Sequence, residues 1–108
     1  MKTLLIDLDG VLNTYSGNFD KNVIPEIKAG AKEFLEKISQ DYDIKIFTTR
    51  NRLLTSKWLV ENKIDNYVSD VTNVKEPAYL HVDDRCICFN GDFDKTIDKI
   101  KNFEVYWK

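Results

Sequence analysis

The sequence predicts an α/β domain organised around a mostly parallel sheet, and three observations lead there. Short apolar runs rich in branched residues alternate with amphipathic segments, the rhythm of strand, helix, strand units. The chain has 108 residues, enough for one domain with one core and too few for a second domain of any size. Its apolar fraction of 43% and aromatic fraction of 12% are those of a folding chain and exclude a disordered one.

Taken in order, Thr3 to Leu8 is the first strand, ended by Gly10. The polar stretch from Asn13 to Asn22 has no periodicity and is expected to be a loop or small hairpin. Beyond Pro25, residues Ala31, Phe34, Leu35 and Ile38 fall at i, i+3, i+4 and i+7, which gives a helix one apolar face. Asp43 to Phe47 is a second strand, and Leu53 to Asn62 a second helix that turns Leu54, Trp58 and Leu59 toward the sheet. A short strand is expected near Tyr67 and Val68. Ala78 to Val82 and Cys86 to Phe89 are two further apolar runs, separated by Asp83, Asp84 and Arg85. Gly91 supplies a turn and Asp92 caps a last helix, whose Phe93, Ile97 and Ile100 again share a face. Val105 to Trp107 is expected to close the sheet as an edge strand, and Trp58, Phe103 and Trp107 to be packing residues. There is no internal repeat and no linker, so residues 1–108 form one domain.

Charge and cysteine content narrow the class of function. Sixteen basic residues stand against 18 acidic ones, a formal charge of -2, so bulk electrostatics neither attract nucleic acid or an anionic membrane nor repel a small anionic substrate. Cys86 and Cys88, two apart in an apolar run, are expected on one face of a strand as reduced core residues. His81, inside an apolar strand, is expected to be a satisfied interior histidine. The N-terminal run Leu4, Leu5, Ile6 is broken by Asp7, far short of a signal-peptide core or a membrane span. A cytoplasmic location without membrane association is the expectation.

Ligands of an open parallel sheet bind outside the carboxyl ends of its strands, and this chain concentrates polar groups there. Asp7 and Asp9 end the first strand, Thr48 and Thr49 the second; Lys75 precedes the Ala78 strand, and Asp83 with Asp84 ends it. Two carboxylates at the end of a buried apolar run are costly unless a cation compensates them. Magnesium, a hard cation that takes carboxylate, water and phosphate oxygens, is the natural candidate. No His or Cys cluster points to zinc.

These residues resemble the haloacid dehalogenase superfamily of phosphohydrolases. Its first motif, a hydrophobic strand ending in DxDG, is matched by Leu5-Ile6-Asp7-Leu8-Asp9-Gly10-Val11. A hydroxyl residue after a strand is matched by Thr48 in Ile46-Phe47-Thr48-Thr49-Arg50. A lysine often followed by proline resembles Lys75 in Val74-Lys75-Glu76-Pro77, with Glu76 inserted between them. An acidic pair after the next strand is matched by Asp83-Asp84-Arg85. The four motifs occur in the family's order across residues 4 to 85, and the ordered set is far more specific than DxDG alone.

The resemblance implies a single Rossmann-like three-layer domain without a cap domain, and a magnesium-dependent phosphatase that works through an aspartyl-phosphate. It implies Asp7 as nucleophile and metal ligand, and Asp9 as acid and base with its backbone carbonyl on the metal. Thr48 and Lys75 would bind the phosphoryl group, Asp84 would ligate the metal, and Asp83 would orient a bound water behind it. Arg50 and Arg85 flank the site, where either could contact phosphate or balance the aspartates. Taken singly these residues have plainer readings: Asp7 and Asp9 as turn residues, Thr48 as structural, Lys75 as a solvated lysine. A response-regulator receiver uses similar groups, but in it the Thr and Lys follow the phosphoacceptor; a catalytically inactive phosphate-binding module would be marked by loss of Asp9. The absence of a cap implies an open site, unless the loop Thr14 to Lys21 or another subunit covers it. Such a site suits a phosphate carried on something large, a protein side chain or, less well given the neutral charge, a nucleic-acid end.

Overall fold

A computed structural model describes residues 1–107 of the chain. The element order is β1 (Lys2–Asp7), α1 (Ala31–Ile38), β2 (Tyr42–Phe47), α2 (Arg52–Glu61), a 3-10 turn (Asp65–Tyr67), β3 (Asp70–Thr72), β4 (Leu80–Val82) and α3 (Phe93–Lys101). The four strands form one sheet in the order β3-β2-β1-β4, and every pairing is parallel. This is the α/β, Rossmann-like architecture expected from the sequence.

Parallel strands need crossovers, and the amphipathic segments supply them. Helix α1 carries β1 to β2 with Ala31 and Leu35 buried. Helix α2 carries the chain on toward β3; Asn51 caps it by accepting the Leu54 amide, and Thr55, Trp58 and Leu59 are its buried residues. The apolar core joins Leu4, Ile6, Leu8, Ile44, Ile46 and Val71 of the strands and the turn after β1 to Ala31, Leu35, Trp58 and Leu59 of the helices. Side chains alternate along a strand, so the opposite face of β2 carries Asp43 and Lys45. Thr3 donates to Asp43 there, and Lys45 pairs with Glu76 at 3.3 Å.

Strand order reverses at β1: the chain builds β1, β2 and β3 outward, then returns to place β4 on the other side. Such a reversal opens a crevice at the carboxyl ends of the strands, and Asp7 stands at its centre. After Asp7 the Leu12 amide bonds back to the Leu8 carbonyl at 3.0 Å. Leu8 and Leu12 are wholly buried, so the turn is pinned to the core while its polar residues line the crevice.

Several expected elements differ. Tyr67 belongs to the 3-10 turn, and the strand follows it at Asp70–Thr72: the Ser69 amide and hydroxyl both bond the Ile44 carbonyl, which starts pairing with β2 beyond Val68. Cys86 to Phe89 is not a strand, and both cysteines are exposed free thiols. His81 is exposed on β4, a three-residue strand at the edge of the sheet. Asp92 does cap α3, accepting the Lys95 amide at 3.0 Å. The apolar face of α3 is uncovered, however, with Phe93 76% and Ile100 61% exposed. Phe103 is also exposed, and Val105 to Trp107 is no edge strand; that stretch turns back across the crevice. Among the described residues, no helix is long and apolar enough to cross a membrane.

Candidate active site

The crevice at the ends of β1 and β4 is a cleft of about 290 Å³ lined by Asp7, Asp9, Tyr15, Phe19, Thr49, Asp83, Asp84 and Arg85. Asp7 is the last residue of β1, and β4 pairs with β1 in parallel through Ile6 and Val82, which brings the residues after Val82 level with Asp7. Asp7, Asp83 and Asp84 each present one ligand atom within 4.8 Å of the others. Burial, then the charge of Asp83, a hydrogen bond with Asp84, and the charges of Asp84 and Asp9 push the Asp7 carboxyl up to about 8 from its ordinary 3.8. All of these causes act against the ionised form. Three oxygen donors whose mutual repulsion a cation would relieve are a donor set that fits a hard divalent metal.

Asp9 lies two residues from Asp7, yet its carboxylate goes elsewhere. Arg50 Nε donates to its Oδ2 at 2.9 Å and its Oδ1 at 3.2 Å, and Asn13 Nδ2 donates to Oδ1 at 3.0 Å. The Arg50 side chain has no exposure and that of Asp9 has 22%. Asn13 is itself fixed, since its side-chain oxygen accepts the Gly10 and Tyr15 amides. Arg50 therefore balances an aspartate, and it also ties down the loop beyond Asn13: Nη1 donates to the carbonyls of Asp20 and Val23 at 2.8 and 3.2 Å. The guanidinium lies 4.5 Å from the centroid of Phe19. The neck of that loop is closed where Thr14 bonds Glu26 and Lys28 bonds Leu12. The loop turns Tyr15 and Phe19 to the cleft, so it walls one side of the site.

The hydroxyl residues divide by depth. Thr48 is buried, its amide on the Thr72 carbonyl and its Oγ1 accepting the Arg50 amide. Thr49, which has no place in the motif, is exposed and lines the cleft. On the other side Lys75 and Asp7 line a small cavity of about 140 Å³ together with Leu5, Phe47 and Asp83. The inserted Glu76 is drawn to Lys45, which leaves Lys75 to the cavity. Asp83 is exposed, its Oδ1 accepting the Arg85 amide at 2.8 Å. Arg85 stacks 5.3 Å from the Trp107 centroid.

Sequence reasoning missed three residues. Asn13 had no signal beyond its place after DxDG. Tyr15 sits in a stretch without periodicity. Trp107 was expected only to pack; its Nε1 donates to Asp84 Oδ2 at 2.6 Å, a contact across 23 residues that no local pattern encodes.

Searches of curated proteins and of solved structures return no significant match. A family model described as NLI interacting factor-like phosphatase matches residues 2–105, the whole span that carries β1, the four motifs and α3. That match covers nearly the full chain, so the chain belongs to the NLI interacting factor-like phosphatase family, phosphoric monoester hydrolases of the haloacid dehalogenase superfamily.

Proposed function

We propose that the protein hydrolyses phosphate monoesters with the Asp7 carboxylate as nucleophile, through an aspartyl-phosphate, in a magnesium-dependent reaction. The observation that carries this reading is the convergence of Asp7, Asp83 and Asp84 at one end of the sheet, with Asp9 fixed beside them.

Asp7, Asp83 and Asp84 would hold magnesium, with the Asp9 backbone carbonyl as a further donor. When bound, the cation neutralises the carboxylate cluster and the substrate's phosphoryl oxygens, which frees Asp7 to attack as an anion. An Asp7 oxygen displaces the alkoxide from phosphorus in line, forming the acyl phosphate; the bond to the leaving oxygen breaks, and that oxygen takes the proton of Asp9, which enters this step protonated and turned from Arg50 to the leaving group. Water then attacks the aspartyl-phosphate, giving up its proton to Asp9 and releasing inorganic phosphate with Asp7 restored. Lys75 offsets charge on the transferring group from the flank. Thr48 or its neighbour Thr49, the one that lines the cleft, donates to a phosphoryl oxygen.

The substrate is a phosphate borne on a larger molecule. The cleft is small and walled on one side by Tyr15 and Phe19, and among the described residues no inserted domain closes it, which suits a phosphate presented from outside. The decisive experiment is turnover of p-nitrophenyl phosphate with magnesium, with chelator, and by Asp7→Asn. Release that requires both magnesium and Asp7 supports the reading; turnover indifferent to either removes it.

A further inference from the structure

We propose that Trp107 is a positioning residue for Asp84: its indole N–H holds Oδ2 of that carboxylate and leaves Oδ1 for the cation. The stretch Phe103 to Trp107 thus completes a site otherwise built from strand ends. This rests on the magnesium-dependent reading above.

The indole nitrogen is a donor only, so its 2.6 Å contact with Oδ2 has a single polarity. It is short, as hydrogen bonds to a carboxylate are. The ring is fixed from two sides, with Tyr15 edge-on at 5.5 Å and an interplanar angle of 79°, and the Arg85 guanidinium at 5.3 Å. The backbone is anchored next door, where the Tyr106 hydroxyl donates to the Gly10 carbonyl and Lys28 lies 5.1 Å from the Tyr106 ring. Gly10 leaves the room for this meeting: a Cβ there would strike Asp84 Oδ2 and come within 3.1 Å of Trp107 Nε1. The DxDG glycine and a tryptophan 97 residues further on therefore serve the same carboxylate. A carboxylate fixed by a second donor binds metal without paying to be ordered, and loss of such a partner commonly weakens metal binding about 10-fold or more.

The test is magnesium binding by calorimetry and by melting-temperature titration, on wild type, Trp107→Phe and Trp107→His. Phe keeps a ring between Tyr15 and Arg85 and removes the N–H; His returns an N–H. We expect the magnesium Kd of Trp107→Phe to rise about 10-fold, its melting temperature in chelator to stay near that of wild type, and Trp107→His to recover part of the affinity. In turnover of p-nitrophenyl phosphate, the half-saturating magnesium concentration should rise by the same factor while kcat at saturating magnesium changes little. An unchanged Kd in the Phe variant overturns the proposal and makes Trp107 a packing residue. A lower Kd also overturns it, because the indole would then compete with the cation for Asp84. Should the Phe variant lose its melting transition, His decides: a Kd near that of wild type supports the proposal and a 10-fold rise refutes it. Wild type that binds no magnesium removes the metal reading and this inference together, a result distinct from normal wild-type binding with an indifferent variant.

Discussion

The perturbation that tests the site most directly is pH, because the fold holds Asp7 far from its ordinary titration. Burial and three neighbouring carboxylates push it from 3.8 to about 8. Between those values the metal-free folded state holds a proton that the unfolded chain has released. Stability therefore falls as pH rises through that window, is fully present below about 4, and has lost the whole contribution above about 8. At about 1.4 kcal/mol for each tenfold change in proton affinity, the displacement amounts to about 6 kcal/mol. Asp7 is only half-buried, and solvent screening reduces this to about 2–3 kcal/mol. For a domain of this size, that is a fall in melting temperature of about 10 °C or more between acid and mildly alkaline solution.

The assay is differential scanning calorimetry from pH 4.5 to 9 in chelator and in excess magnesium, on wild type and Asp7→Asn. Wild type in chelator should lose stability toward alkaline pH. Asp7→Asn, which has no proton to lose, should lose much less. Magnesium should restore wild type most strongly at the alkaline end, where the ionised cluster binds it best; saturation about 100-fold above Kd is worth about 2.7 kcal/mol. If Asp7→Asn keeps the full wild-type pH dependence in chelator, the repulsion assigned to Asp7 does not exist. If magnesium leaves the wild-type profile untouched, the cluster is not a cation site.

Three further outcomes follow from individual contacts. Asp9→Asn should slow turnover of p-nitrophenyl phosphate by 10²-fold or more with little change in magnesium affinity, which paired kinetics and calorimetry will separate; near-normal turnover across the pH range refutes the acid and base role. Gly10→Ala puts a side chain at a φ of +83° and into Asp84, so it should destabilise by about 1–3 kcal/mol and weaken magnesium binding as well; a urea midpoint and a Kd like those of wild type would contradict the packing described. Arg50→Ala removes the cation paired with Asp9 and both loop anchors, and should cost about 3 kcal/mol by urea denaturation while opening residues 14–24 to limited proteolysis; an uncut loop would show that other contacts hold it.

What the sequence made legible was local. Strand β1, with apolar residues running straight into Asp7, and the ordered placement of Thr48, Asp83 and Asp84 after strands and of Lys75 before one were enough to reach the sheet and its polar end. Asp92 as a cap was equally legible, because a cap is read within four residues. Periodicity says which residues share a face, however, and not what covers that face. Phe93, Ile97 and Ile100 are spaced as a buried stripe and yet are exposed. Cys86 and Cys88 alternate as strand residues without a strand to join. Arg50 on Asp9 spans 41 residues and Trp107 on Asp84 spans 23; contacts at such distances are set by the order of strands in the sheet, which no window of sequence contains.

The long-range contacts also explain how two aspartates of one motif come to differ. Four carboxylates lie at this end of the sheet and concentrate negative charge in one cleft. The fold withdraws one of them. Arg50 occupies both oxygens of Asp9 and Asn13 adds a second donor to Oδ1, so Asp9 is paired within the cleft although Leu8 alone separates it from Asp7. Among the described residues Asp7 has no ion pair of that kind, and its carboxyl clusters with Asp83 and Asp84. Arg50 is placed by β2, through the Thr48 hydroxyl that accepts its amide. Thus the second motif acts on the first: the strand end that carries Thr48 also brings the guanidinium that holds Asp9 apart from Asp7, Asp83 and Asp84.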